Sequence, residues 1–139
     1  MALMNARAAQ PGLNDTHYTN SFGGDDPNHY SSAADLVKRA QVAMGNPTFA
    51  ALVATLHHHV APNLYHYSYA WENILNPFLQ GYSGANGVKA GSNADGTDWC
   101  MVFAAYHNGR LLIGAEMQVP SAHQLFVDAE NILNKGFAS

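Results

Sequence analysis

The dipeptide Asn108-Gly109 stands between two apolar runs, residues 99–106 and 110–119. Asn-Gly suits a two-residue turn with both residues at positive φ, and the twist of that turn matches the twist of antiparallel strands. The spacing therefore predicts a hairpin. In its second strand Leu111, Ile113 and Ala115 interleave with Leu112, Gly114 and Glu116, so both faces are largely apolar. Such a strand fits a sheet covered by helices on both sides. Ser121 follows, with Gln124 three residues on, which is the pattern of a capping box. Leu125, Phe126, Ala129, Ile132 and Leu133 give the ensuing helix an apolar stripe, and Gly136 is placed to close it. Upstream, Gly87-Val88-Lys89-Ala90-Gly91 reads as a short strand and Asp95-Gly96-Thr97-Asp98 as a turn.

The first part of the chain is predicted to be helical between turns. A stub at 1–9 ends at Pro11-Gly12, and consecutive turns fill the stretch to residue 30. Ser31 or Ser32 caps a helix with Asp35 in its first turn, Leu36, Val37, Ala40, Ala43 and Met44 as its stripe, and Gly45 as its stop. Asn46-Pro47 supplies the N-cap and first residue of a helix over 47–56, buried through Phe49, Leu52, Val53 and Leu56. Residues 57–60 and 64–71 read as extended, and 72–86 as a Pro/Gly/Asn loop. At 139 residues the chain is the size of one domain with one core.

Charge narrows the range of partners. Charged residues make up 12% and the net charge is −4, against about a quarter charged in a typical soluble domain. Lys38-Arg39 is the only adjacent basic pair, so neither nucleic acid nor an anionic membrane is an expected partner. No apolar run approaches the roughly 18 residues of a membrane span, and the N-terminus has no secretory apolar region. The single cysteine, Cys100, excludes an internal disulfide, and within an apolar strand it is expected to be buried and inert.

Most catalytic signatures are missing. None of the eight serines begins Ser-x-x-Lys or Ser-x-Asn. Gly81-Tyr82-Ser83-Gly84-Ala85 is one residue short of a nucleophile elbow and has no strand before it. His57 and His59 share one face of an extended segment with His66 close in sequence, but no Asp, Glu or Cys stands at ligand spacing, and no metal or other cofactor is expected. Lys89, flanked by small residues after a Gly-rich stretch, can present an ammonium to an anion, and Gly91 would let a ligand backbone come close.

The order of several motifs carries more than any one of them. Met4-Asn5-x-x-Ala8 and Gly12-Leu13-x-x-Thr16-His17-Tyr18-x-Asn20 are followed by Asp25-Asp26-Pro27-x-His29-Tyr30-Ser31-Ser32-Ala33-x-Asp35-Leu36. Asn46-Pro47-x-Phe49, Trp71-Glu72-Asn73 and Gly84-Ala85-Asn86-Gly87-Val88-Lys89-Ala90-Gly91 continue in register, then the Arg110 strand and Ile132-Leu133-Asn134-Lys135-Gly136-Phe137. Across essentially the whole chain this order resembles the serine D-Ala-D-Ala carboxypeptidases of the peptidase S11 type, low-molecular-mass penicillin-binding proteins.

The resemblance implies an α/β (α+β) fold, a partial penicillin-binding-protein/β-lactamase-like domain, of which residues 1–139 are the C-terminal part. It implies three C-terminal strands and the terminal helix, without the two N-terminal strands, so that strand 110–119 keeps an open edge able to recruit a second copy. Lys89-Ala90-Gly91 stands where the family has Lys-Thr-Gly, the strand that holds the substrate carboxylate, and Ala90 lacks the hydroxyl that would bond it. The family's other two motifs, Ser-x-x-Lys and Ser-x-Asn, precede the segment that this chain matches. No residue here is therefore assigned a catalytic role, and the chain is expected to be inactive alone. The implied ligands are a peptidoglycan stem peptide or a β-lactam, weakly held, and the family works outside the cytoplasmic membrane. The alternative is a non-catalytic binding or assembly module that self-associates through the open strand.

Overall fold

The computed structural model describes residues 1–139. Its elements run α1 (Ala2–Ala9), α2 (Ala33–Met44), α3 (Pro47–Val53), β1 (His57–Val60), β2 (Tyr69–Glu72), α4 (Asn76–Gly81), β3 (Ala85–Ser92), β4 (Trp99–His107), β5 (Arg110–Val119) and α5 (Ala122–Ala138). β3, β4 and β5 form an antiparallel sheet in that order, and β1 and β2 pair separately. Asn108 and Gly109 turn the β4–β5 hairpin with φ of 50° and 80°, the conformation that their sequence predicts.

The central strand explains the long apolar run. β4 is covered on both faces. Met101, Phe103 and Ala105 face a cluster built by Leu75 and Phe78 around α4 and by Leu125, Ala129 and Leu133 of α5. Val102 and Ala104 face the opposite cluster, formed with Ala40 and Met44 of α2. Residues 101–105 thus have no solvent face, and alternation between apolar and polar is lost. Gly114 on β5 serves one of these layers directly, because a Cβ there would run into the ring of Phe103.

The caps form largely as their sequences imply. Ser32 rather than Ser31 caps α2, accepting the Asp35 amide at 3.2 Å. The Asn46 side chain accepts the Thr48 and Phe49 amides ahead of α3. Ser121 caps α5 through the Gln124 amide, while the Gln124 side chain turns to Asp128 instead of returning to close the box. Asp35 also ties the first turns to α2, accepting the Asp15 amide and the Thr16 hydroxyl, both at 2.8 Å, with Lys38 3.6 Å away. Burial pushes its carboxyl up, but these hydrogen bonds and the Lys38 charge outweigh burial and hold it below its ordinary value.

Four expectations are corrected. The helix over 47–56 stops at Val53, where the Asn73 side-chain amide takes the carbonyls of Val53 and Thr55. The extended run 64–71 shrinks to Tyr69–Glu72, because the Asn63 side chain accepts the amides of Tyr65 and His66 and makes a turn. The loop 72–86 contains α4, which starts on Asn76-Pro77 and buries Phe78. Gly136 lies inside α5 and not at its end; a Cβ there would sit 2.8 Å from Leu112, so the glycine serves close packing on β5. No helix is long and apolar enough to cross a membrane.

Candidate functional site

β3 is an edge strand. It pairs with β4 on one side, Val88 opposite Phe103, Lys89 opposite Val102, Ala90 opposite Met101 and Gly91 opposite Cys100, and with nothing on the other. Its outer edge consequently offers backbone N–H and C=O groups to an incoming extended chain. Gly87 brings the strand close to α3: its φ is +91°, and a Cβ would fall 2.8 Å from Val53. That contact fixes where the Lys89 segment leaves the fold.

The three residues singled out in the sequence sit differently along this strand. Lys89 is exposed, on the sheet face shared with Val102, and its Nζ donates to the Ala90 carbonyl. Ala90 is 2% exposed, with its methyl in the cluster of α4 and α5. Gly91 is partly exposed, and a side chain at that position would come within 3.9 Å of the Lys89 Nζ. The cation and the bare backbone beside it are therefore adjacent, while position 90 points inward.

The turn after β3 is tied by its own side chains. Asn93 accepts the amides of Thr97 and Asp98. Asp95 accepts the Thr97 hydroxyl at 2.7 Å, and this bond, with that from the Thr97 amide, holds the carboxyl below its ordinary value. The Trp99 indole closes the turn on the Gly96 carbonyl at 2.9 Å.

Other candidate groups do not assemble. Ser83 lies after a helix and before a strand, the reverse of the strand–turn–helix order of a nucleophile elbow. Its carbonyl receives the His107 ring, which stacks between Tyr82 and Phe137. His58 stacks on Trp71, and His66 bonds the Asn63 side chain in its turn. No three His, Cys, Asp or Glu side chains come together as a metal-binding group. Cys100 is partly exposed, not buried.

One polar group escaped sequence reasoning. Glu116 on β5 has a buried Oε1 without a hydrogen-bond partner. Burial, and then the neighbouring charge of Asp128, push its carboxyl up to about 7. The one acidic residue of a largely apolar strand was the only available signal.

Comparison with known proteins agrees with this fold. Residues 1–121 match the family described as D-alanyl-D-alanine carboxypeptidase, peptidase S11. A D-alanyl-D-alanine carboxypeptidase of Streptomyces sp. strain K15 is 36% identical over 139 residues, covering 97% of this chain and 47% of the relative. The D-alanyl-D-alanine carboxypeptidase DacB2 of Mycobacterium tuberculosis is 37% identical over 123 residues, covering 84% and 40%. The crystal structure of the Streptomyces K15 DD-transpeptidase superposes with a TM-score of 0.89 at 36% identity, covering 99% of this chain and 53% of that one. That of a D-alanyl-D-alanine carboxypeptidase from Mycobacterium tuberculosis gives 0.84 at 33%, with the same two coverages, 99% and 53%. The chain spans about half the length of these relatives. In family profile, sequence and fold alike, the chain belongs to the D-alanyl-D-alanine carboxypeptidase family.

Proposed function

We propose that this chain is the C-terminal part of the catalytic domain of a D-alanyl-D-alanine carboxypeptidase and supplies its carboxylate-binding strand. The observation that carries the reading is an exposed Lys89 on an edge strand whose outer side is unpaired, in a chain of this family. A peptidoglycan stem peptide ending in D-Ala-D-Ala would add to that edge as an extended strand. Its terminal carboxylate would meet the Lys89 ammonium, and Gly91 would leave room for its backbone. A β-lactam would present its carboxylate in the same way.

The reaction so assigned is acyl transfer. A serine attacks the carbonyl between the two D-Ala residues, the terminal D-Ala leaves with a proton on its amine, and water hydrolyses the acyl-enzyme. The step needs a nucleophile with a base in reach. No serine of this chain has a Lys three residues on, so the residues present bind and orient but do not turn over. Incubated with a fluorescent penicillin, the purified chain is expected to remain unlabelled, and a D-Ala-D-Ala peptide is expected to release no D-Ala above background. Release that is lost on mutating one serine would overturn the reading.

A further inference from the structure

β1 and β2 form an arm that stands off the body of the protein. The two strands pack mainly on each other, and the connection between them is bare, with Tyr65 93% exposed and Leu64 and Tyr67 nearly as open. The arm is nevertheless tied at both ends. At its tip the Asn63 side chain accepts the Tyr65 and His66 amides. At its root the Asn73 side chain donates to the carbonyls of Val53 and Thr55.

Alternation along the strands sorts the rings of the arm onto one face. Tyr69 and Trp71, two apart on β2, share that face with Val60 and His58, their partners across the ladder. His66, Tyr69, Trp71 and His58 follow one another with ring centroids 5.5, 5.4 and 6.1 Å apart, the last two pairs nearly parallel. Trp71 keeps 53% of its surface exposed. A groove of about 360 Å³, bounded by Leu52, Leu56, His58 and Trp71, opens at the root of the arm and is within the size range of small-ligand sites.

The chemistry of the arm selects its ligand. No Asp, Glu, Lys or Arg occurs from Ala40 to Trp71, so it offers no ion pair to a charged partner and no basic cluster to acidic lipid. Val60 and Leu64 are its only branched aliphatic side chains, which leaves little surface to insert among acyl chains. Flat rings edged with phenol hydroxyls and imidazole nitrogens suit a neutral ligand with apolar faces and a polar rim. A pyranose is such a group: its C–H bonds lie against the negative face of an aromatic ring, and its hydroxyl and N-acetyl groups reach the polar edges.

The position of the arm agrees with this chemistry. α3 packs in the cluster of Val88 and Val102, α4 in the opposite cluster of Ala90 and Met101, and both helices contact β3. The arm joins these two helices, so it rounds the β3 edge, where the proposed function places the stem peptide. Substrate must reach that edge in the whole enzyme, and the arm therefore projects from a side that the rest of the domain leaves accessible. We infer that the ring face of the arm binds the glycan strand of peptidoglycan, a neutral chain of N-acetylated sugars, at a site separate from Lys89; the choice of polymer rests on the proposed peptidoglycan substrate. Holding the glycan raises the effective concentration of its stem peptides at the β3 edge.

The test uses chitotetraose, a tetramer of N-acetylglucosamine that carries no peptide. Calorimetric titration into the chain is expected to show saturable binding. Tyr69→Ala combined with Trp71→Ala is expected to weaken it at least about tenfold by removing two ring contacts, with the circular dichroism spectrum of the parent. Trp71→Phe, which keeps a ring, is expected to retain binding. Lys89→Gln is expected to bind the sugar as the parent does, so sugar that binds where a D-Ala-D-Ala peptide fails would contradict the Lys89 assignment and still support the arm. No saturable binding of chitotetraose, or equal binding by the folded double variant, would overturn the inference. Co-sedimentation of the parent with phosphatidylcholine vesicles in the absence of sugar binding would overturn it in favour of a lipid surface.

Discussion

At the scale of single residues, Ala90 and Glu116 separate what composition suggests from what packing allows. Position 90 has its side chain in the core, among Met101 and the residues of α4 and α5. Ala90→Thr therefore adds a hydroxyl to an apolar layer and not to a binding surface. It is expected to lower stability by about 1–3 kcal/mol, read from chemical denaturation, and to yield no covalent product with a β-lactam; a burst of acylation in this variant would contradict the account. Glu116 is held protonated to higher pH than a free glutamate, its carboxyl raised from 4.5 to about 7. A folded state that holds a proton more tightly than the unfolded one loses stability as pH rises between those two values and then levels off. Glu116→Gln is expected to flatten this decline, so that the variant gains on the parent between pH 4.5 and 7. Thermal melts at pH 5 and pH 8 check it, and an unchanged difference between parent and variant would refute it.

Among the elements, β3 depends on a contact at some distance from its lysine. Gly87 approaches Val53 of α3 with φ at +91°. Gly87→Ala combines a strained backbone with overpacking and is expected to cost about 2–4 kcal/mol, with the loss visible in the urea midpoint; a neutral outcome would show that α3 does not hold the strand. Elements with strong local signals were legible without the structure. Asn108-Gly109, Ser121 and Asn46-Pro47 each set local backbone geometry through their own chemistry, and the elements that they predict are present. α4 was not legible as a helix, although Asn76-Pro77 repeats the Asn46-Pro47 signal, because only Leu75, Phe78 and Leu79 are apolar along so short a segment. The ends of α3 and β2 were hidden for a different reason. They are set by the side chains of Asn73 and Asn63 bonding to backbone groups, and for Asn73 those groups lie 18 and 20 residues away. Lys89 was legible as an exposed cation because its small neighbours leave it uncovered. Glu116 was not, because its significance lies in a missing partner and not in a motif.

Over the whole molecule, β3 lies at one edge of the sheet. The β3 edge carries one exposed cation beside a glycine, suited to a peptide with a terminal carboxylate. The central claim is that Lys89 holds the carboxylate of a D-Ala-D-Ala terminus. Its most direct measurement is an isothermal titration of an acetylated D-Ala-D-Ala peptide into the chain and into Lys89→Gln, with circular dichroism showing that the variant keeps its fold. Losing a charge-assisted bond of about 1.5–3 kcal/mol weakens binding by about tenfold to a hundredfold, so the account predicts weak saturable binding by the parent chain and a loss of that size in the variant. Equal affinity of the two proteins for the peptide would contradict it.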